Sequence, residues 1–238
     1  MLARIQLRLQ TSPILDPAEI ASFDKTLVDW FRQLPSFMHS PNPCPTHLQI
    51  IRDVFNWRYQ SIRILLHRAV VLDATIRQLP WAHLGEGDQQ VVAKCRELAA
   101  DSIACIRRDW QPTKMSGWNA VWFLFQACLI PLMALATEPA GDYDDYLKWR
   151  ELVEVSIGLC REMSRWSLVG EKTSTVLNQL LKATEKPGIG EWVASRENPL
   201  DELLDGLSPS FFDAEWNDVI GWHFPSGFDQ SHFIHAMQ

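Results

Sequence analysis

Helical spacing dominates this chain. Apolar residues recur three and four positions apart in most segments, and strand-like alternation is almost absent. Clusters of Pro and Gly separate the segments at 34–47, 79–87, 111–117, 137–142 and 185–190. Asp16 followed by Pro17 predicts an N-cap and first turn for a helix running to about Leu34. Residues 88–110 place Val91, Val92, Cys95, Leu98, Ala99, Ser102, Ile106 and Trp110 on one stripe. Residues 143–166 do the same with Trp149, Leu152, Val153, Ser156, Leu159, Cys160, Met163 and Trp166. A shorter helix over 171–184 turns Val176, Leu177, Leu180 and Leu181 inward. The fold class is all-α, an irregular multi-helix bundle of about six helices over residues 1–190. A loop-rich acidic-aromatic tail occupies 191–238.

Two segments need a finer reading. At about 100° per residue, the helix carrying NWRYQSIRILLHRAVVL (56–72) has two apolar faces. One collects Ile51, Val54, Phe55, Ile62, Leu65, Leu66 and Ala69; the other collects Trp57, Ser61, Ile64, Arg68 and Val71. Only a narrow strip of Asp53, Asn56, Gln60 and His67 is polar, and that strip is the expected edge for water. Arg58 rises from the first apolar face, so it is expected to be mostly buried against a carboxylate or an aromatic ring. The second segment, WNAVWFLFQACLIPLMALA (118–136), approaches the length of a membrane span. Asn119, Gln126 and Pro131 interrupt it and Glu138 follows, so the expectation is a core helix, apolar all round, with no membrane partner.

Charge changes the picture mainly at one end. The formal net charge is −7, which disfavours a surface that grips phosphates. Residues 197–238 hold eight of the 29 acidic residues and none of the 22 Lys and Arg, leaving 21 acidic against 22 basic elsewhere. Cys44, Cys95, Cys105, Cys128 and Cys160 form no C-x-x-C pair, as expected of reduced thiols in a cytosolic or nuclear protein. The N-terminal MLARIQLRLQTSP lacks the apolar core of a signal peptide.

Candidate chemistry is sparse. Asp142, Asp144 and Asp145 suggest a magnesium cluster, but no second acidic cluster accompanies them, and an N-cap with two first-turn carboxylates accounts for them more simply. His232 and His235 are two ligands, short of a zinc site. KPGIGEW lacks the Lys and Ser/Thr of a phosphate loop, and no G-x-S-x-G occurs. No catalytic or metal residue is assigned. In the tail, Phe211, Phe212, Trp216, Trp222 and Phe224 alternate with Asp213, Glu215 and Asp218, the composition of an activation segment.

WRYQSIRILLHR resembles the W-R-x-x-N-L-R-I-L-L-x-R-P signature of the fungal-specific transcription factor domain, the regulatory middle region of fungal binuclear zinc-cluster factors. Trp57, Arg58, Arg63, Ile64, Leu65, Leu66 and Arg68 fall on matching positions, while Ser61 and Ala69 replace the usual Asn and Pro. VDWFRQLPSFMHS (28–40) is similar to that family's L-P-x-[FY] turn, and SGWNAVWFLFQACLIPLMAL (116–135), with Trp118 and Trp122, to its late buried helix. The resemblance covers the C-terminal half of the family's region, over about residues 20–180. It implies a nuclear regulatory portion of a factor controlling RNA polymerase II transcription, with coactivators or co-regulators as partners. A homodimer and a small-molecule inducer are further expectations. Zinc would belong to the family's DNA-binding cluster, which is not among these residues, so neither a cofactor nor direct nucleic acid binding is expected of this chain. The competing reading is an all-α small-molecule receptor or enzyme without a transcriptional role.

Overall fold

The computed structural model describes Arg8, residues 15–137 and residues 143–184, the last starting with backbone alone at Tyr143 and Asp144. These residues belong to one unit, Met1–Lys186. They form six α-helices: α1 (Pro17–Arg32), α2 (Gln49–Ile76), α3 (Glu86–Asp109), α4 (Lys114–Thr137), α5 (Tyr143–Met163) and α6 (Leu168–Thr184). Three single-turn 3-10 helices, Ser36–Met38, Thr46–Leu48 and Trp81–His83, sit in the connections, and no strand occurs among the described residues. The all-α class is therefore correct.

Local chemistry sets the helix ends. Asp16 Oδ1 accepts the Ala18 N–H at 2.8 Å and Pro17 opens α1, as the sequence predicts. At the other end of α2, Gln78 takes the left-handed conformation with φ 51°. The Leu79 N–H then reaches the Ala74 carbonyl at 2.9 Å and the Gln78 N–H reaches Thr75 at 3.1 Å, a Schellman closure. Between α5 and α6 the chain turns so tightly that a Cβ on Gly170 would lie 2.6 Å from the Cys160 carbonyl oxygen. Only glycine permits that approach.

Helix α4 is the axis of the bundle and packs against α2, α3, α5 and α6. Ala120, Val121, Leu124, Ala127, Cys128 and Ile130 are almost wholly buried along it. It is long and apolar enough to cross a membrane by length and composition, yet most of that stretch is buried against its neighbours. The stripes on α3 and α6 face inward as expected, with Trp110, Val176 and Leu180 half-buried. On α5 the stripe also holds except at Trp166, which lies beyond the helix end and is exposed. Asp145 is exposed in the first turn of α5, while Asp142, His232, His235 and the whole 191–238 tail lie outside the described residues.

Candidate functional site

The signature helix α2 is where sequence and structure part company. Its second face is inside as expected: Trp57, Ser61, Ile64 and Val71 are buried. The first apolar face is not. Ile51 is 54% exposed, Arg58 is exposed, and Val54, Phe55, Ile62, Leu65 and Ala69 are half-buried, with Leu66 alone on that face fully inside. The polar strip expected to meet water is buried instead, with Asp53 1% and His67 3% exposed, Asn56 buried and Gln60 half-buried. Arg58 has neither carboxylate nor ring against it, so its expected burial is wrong: the helix is rotated from the predicted orientation.

The physical reason lies in the Pro-rich loop before α2. Pro35, Pro41, Pro43 and Pro45 supply no N–H, so the loop closes single turns at Met38, His39 and Asn42 but has fewer backbone donors than carbonyl acceptors. Asn56 Nδ2 donates to the Met38 carbonyl at 2.8 Å and Arg52 Nη1 to the Asn42 carbonyl at 2.7 Å. Arg52 also donates from Nε and Nη2 to Asp53 Oδ1 at 2.8 and 2.7 Å. Burial pushes the Asp53 carboxyl up from its usual range, against the pull of Arg52. Nearby, Ser40 Oγ donates to Asp109 Oδ2 at 2.8 Å, and Arg108 grips both Asp109 oxygens at 2.7 Å. Arg52 and Asn56 on α2 thus tie the loop to the bundle, and giving these groups partners outweighs hiding one more apolar stripe.

The other signature side chains fasten α2 to its neighbours. Arg63 Nε and Nη2 donate to the two Asp24 oxygens at 2.6 and 2.7 Å, a fork-to-fork bridge to α1. Its guanidinium also lies 5.5 Å from the centre of the Tyr59 ring, which stacks on Phe31 with centroids 3.9 Å apart. Burial works against the charge on Arg63, but the bond to Asp24 holds its pKa above the ordinary value. His67 Nδ1–H donates to the Arg63 carbonyl at 2.8 Å, and burial keeps its pKa below the usual 6.5. Ser61 Oγ donates to Gln126 Oε1 at 2.5 Å, joining α2 to α4. Trp57 is 0% exposed and its indole N–H has no hydrogen-bond partner. Arg68 is half-buried beside Cys95, and burial lowers its pKa. Trp118 and Trp122 are half-buried on α4, in the segment that also carries Gln126.

Burial pushes the thiols of Cys95, Cys128 and Cys160 up to about 12, so they are protonated at neutral pH. A surface cavity of about 410 Å³ between α5 and α6 is lined by Arg161, Ser164, Glu171, Ser174, Thr175 and Asn178. Its hydroxyls are engaged locally, Ser164 Oγ with the Arg161 carbonyl and both Ser174 and Thr175 with that of Glu171. Among the described residues no three His, Cys, Asp or Glu side chains converge as a metal site would require. Sequence reasoning missed Arg52, Asp53, Asn56 and His67 as buried groups. The signal available was the line of Asp53, Asn56 and Gln60 one turn apart directly after a loop rich in proline, with His67 two turns further on.

Fold and site define an all-α bundle stapled at one helix by buried polar groups. No family model matches this chain, and no curated protein or solved structure does either.

Proposed function

We propose that this chain is the regulatory, non-DNA-contacting portion of a fungal zinc-cluster transcription factor acting in the nucleus on RNA polymerase II transcription. The observation that carries the reading is the signature on α2, with Trp57, Arg58, Arg63, Leu65, Leu66 and Arg68 in matching positions. The two accompanying segments occur in the family's order on either side of it. The three segments also touch one another, which supports treating them as one unit: Asn56 holds Met38 of the first, and Ser61 holds Gln126 of the third. In this reading the bundle is the regulated body. Phe211, Phe212, Trp216, Trp222 and Phe224, set among carboxylates, recruit a coactivator or co-regulator.

The test is a reporter assay with an unrelated DNA-binding domain fused to residues 1–238 or to residues 197–238. The tail fusion is expected to change reporter output, and replacing Phe211, Phe212 and Trp216 by Ala abolishes that change. No change from either fusion overturns the reading. Sequence-selective DNA binding by the purified chain also overturns it, because the proposal leaves DNA contact to a separate cluster.

A further inference from the structure

The turn between α5 and α6 sets apolar side chains in water. Leu168, at the start of α6, is 90% exposed, and Trp166, two residues before it, is 41% exposed. A Cβ added to Gly117 would lie 3.2 Å from the Cβ of Trp166, so this turn packs beside the first turn of α4, where Met115 is 55% exposed. The three side chains gather at one end of the bundle, where α3 and α5 finish and α4 and α6 begin. A single exposed apolar residue is ordinary on a protein surface. Three that adjoin across two turns form a patch that the packing of the bundle does not use.

Charge sets the same end apart. The last turns of α3 and α5, the first turns of α4 and α6 and the links between them hold Arg107, Arg108, Lys114, Arg161 and Arg165 against Asp109, Glu162 and Glu171. Arg108 is committed to Asp109. Arg107, Lys114, Arg161 and Arg165 are exposed and make no ion pair among the described residues. The opposite ends of these four helices carry Glu86, Asp88 and Asp145 against Lys182 among the described side chains. In a chain of net charge −7, unpaired cations and exposed apolar side chains thus share one end.

We propose that this end of the bundle docks on an anionic lipid surface. Trp166, Leu168 and Met115 enter the boundary between headgroups and acyl chains, while Lys114, Arg161 and Arg165 lie among the lipid phosphates. Shape favours a bilayer over a peptide: Leu168 projects from a turn instead of lining a groove, and a fluid surface yields around a projecting side chain. Trp suits that boundary because its ring is apolar and its indole N–H polar. Lys and Arg suit it because their stems lie along apolar surface while the charge stays at the phosphates. The attachment is peripheral, since α4 remains inside the bundle and spans nothing. It stands apart from the transcriptional reading and is tested without it.

The experiment mixes the full chain with vesicles of phosphatidylcholine and phosphatidylserine, and separately with phosphatidylcholine alone. The bound fraction is read by co-sedimentation over a lipid series. Binding is expected to the mixed vesicles, and to weaken about tenfold or more without the anionic lipid or at high salt. Trp166→Gln with Leu168→Gln removes the apolar tip without changing charge and weakens binding about tenfold or more. Both residues are exposed, so the fold is kept, and circular dichroism checks that it is. Lys114→Glu with Arg165→Glu weakens binding similarly and lowers its salt sensitivity. Leu147→Gln, an exposed apolar site in the first turns of α5 at the opposite end, leaves binding unchanged. No binding to the mixed vesicles overturns the proposal, as does binding indifferent to the first two variants or equally weakened by Leu147→Gln. Capture of polyglutamate at this end in place of vesicles also overturns it, and assigns the patch to an acidic peptide.

Discussion

Helices α2 and α4 are both long and apolar, yet they are held by opposite means. Most of α4 is buried, and its core consists of side chains such as Leu124, Ala127 and Ile130 with no polar obligation. On such a helix the less buried face, with Trp118, Trp122, Phe125 and Leu129, is also mostly apolar, so polar partners do little to fix its rotation. Helix α2 has two apolar faces and room inside for only one of them. Its orientation sets Arg52 and Asn56 against the carbonyls of Asn42 and Met38, and Asp53 and His67 go inside with them, bonded to Arg52 and to the Arg63 carbonyl, while Ile51 and Ile76 are left outside. Apolar periodicity tells which segments are helices and how deep they sit. Where apolar residues exceed the available core, buried hydrogen bonds choose the face.

The sharpest way to break this comparison is to remove one group of each kind. Asp53→Ala leaves the Arg52 guanidinium buried without its carboxylate and should cost about 3–5 kcal/mol of stability. Leu124→Ala opens a cavity in the middle of α4 and should cost about 2–5 kcal/mol. By contrast, Arg58→Ala on the outward edge of α2 should stay within about 0.5 kcal/mol. Urea titration of the three variants measures all of this. A loss at Arg58 that exceeded the loss at Asp53 would restore the orientation expected from the apolar stripe.

Next in size is the bridge that α2 makes to α1. Arg63→Ala removes two charge-assisted bonds and strands Asp24 in a largely buried site, with an expected loss of about 2–4 kcal/mol. A double-mutant cycle with Asp24→Ala isolates the coupling from the lost Tyr59 contact. Full additivity of the two single changes would show that the bridge contributes no energy beyond its separate halves.

Legibility followed the same division. Asp16 as a cap and the inward stripes of α3, α5 and α6 could be read because one apolar face stood against one polar face. Trp166 broke its stripe because the helix ends at Met163, three residues earlier. On α2 the signature residues were correctly placed on a helix, but Arg58 was expected inside and Asp53, Asn56 and His67 outside. Hydropathy records what a side chain avoids, while the partners of Arg52 and Asn56 are carbonyl groups of the Pro-rich loop, which carry no sequence signal. The four N–H groups that proline removes from the loop were visible; the direction from which its remaining carbonyls would be served was not.

His67 gives the comparison a pH dependence. Burial holds its folded pKa below 6.5, although the Arg63 carbonyl that it bonds and the charge of Asp24 favour the protonated ring, while Arg63 and Lys94 disfavour it. A depressed pKa means that the unfolded chain binds the extra proton first. The associated stability is therefore present above about pH 6.5 and is lost as the pH falls through the folded value, by at most about 1.4 kcal/mol per pH unit. Replacing His67 by Gln should flatten that part of the stability curve between pH 7 and 5. An unchanged slope would mean that His67 is protonated in the fold despite its burial.

The smallest effect is expected at the end of α2, where the helix is closed by a residue that resists the required conformation. Gln78 sits at φ 51° so that the Leu79 and Gln78 amides can cap the Ala74 and Thr75 carbonyls. A side chain in the left-handed region costs about 1–2 kcal/mol relative to glycine, partly offset by glycine's greater freedom when unfolded. Gln78 recovers a little through its own Nε2, which donates to the Thr75 carbonyl at 3.1 Å on the exposed surface. Gln78→Gly should then stabilise the chain by about 0.5–1 kcal/mol, seen as a higher urea midpoint at unchanged slope. Gln78→Ala keeps the strain and loses the bond, so it should be neutral or slightly destabilising. If glycine also destabilised, the side-chain bond rather than the backbone closure would be what ends α2, and this terminus would join the polar strip as a place where side chains set the geometry.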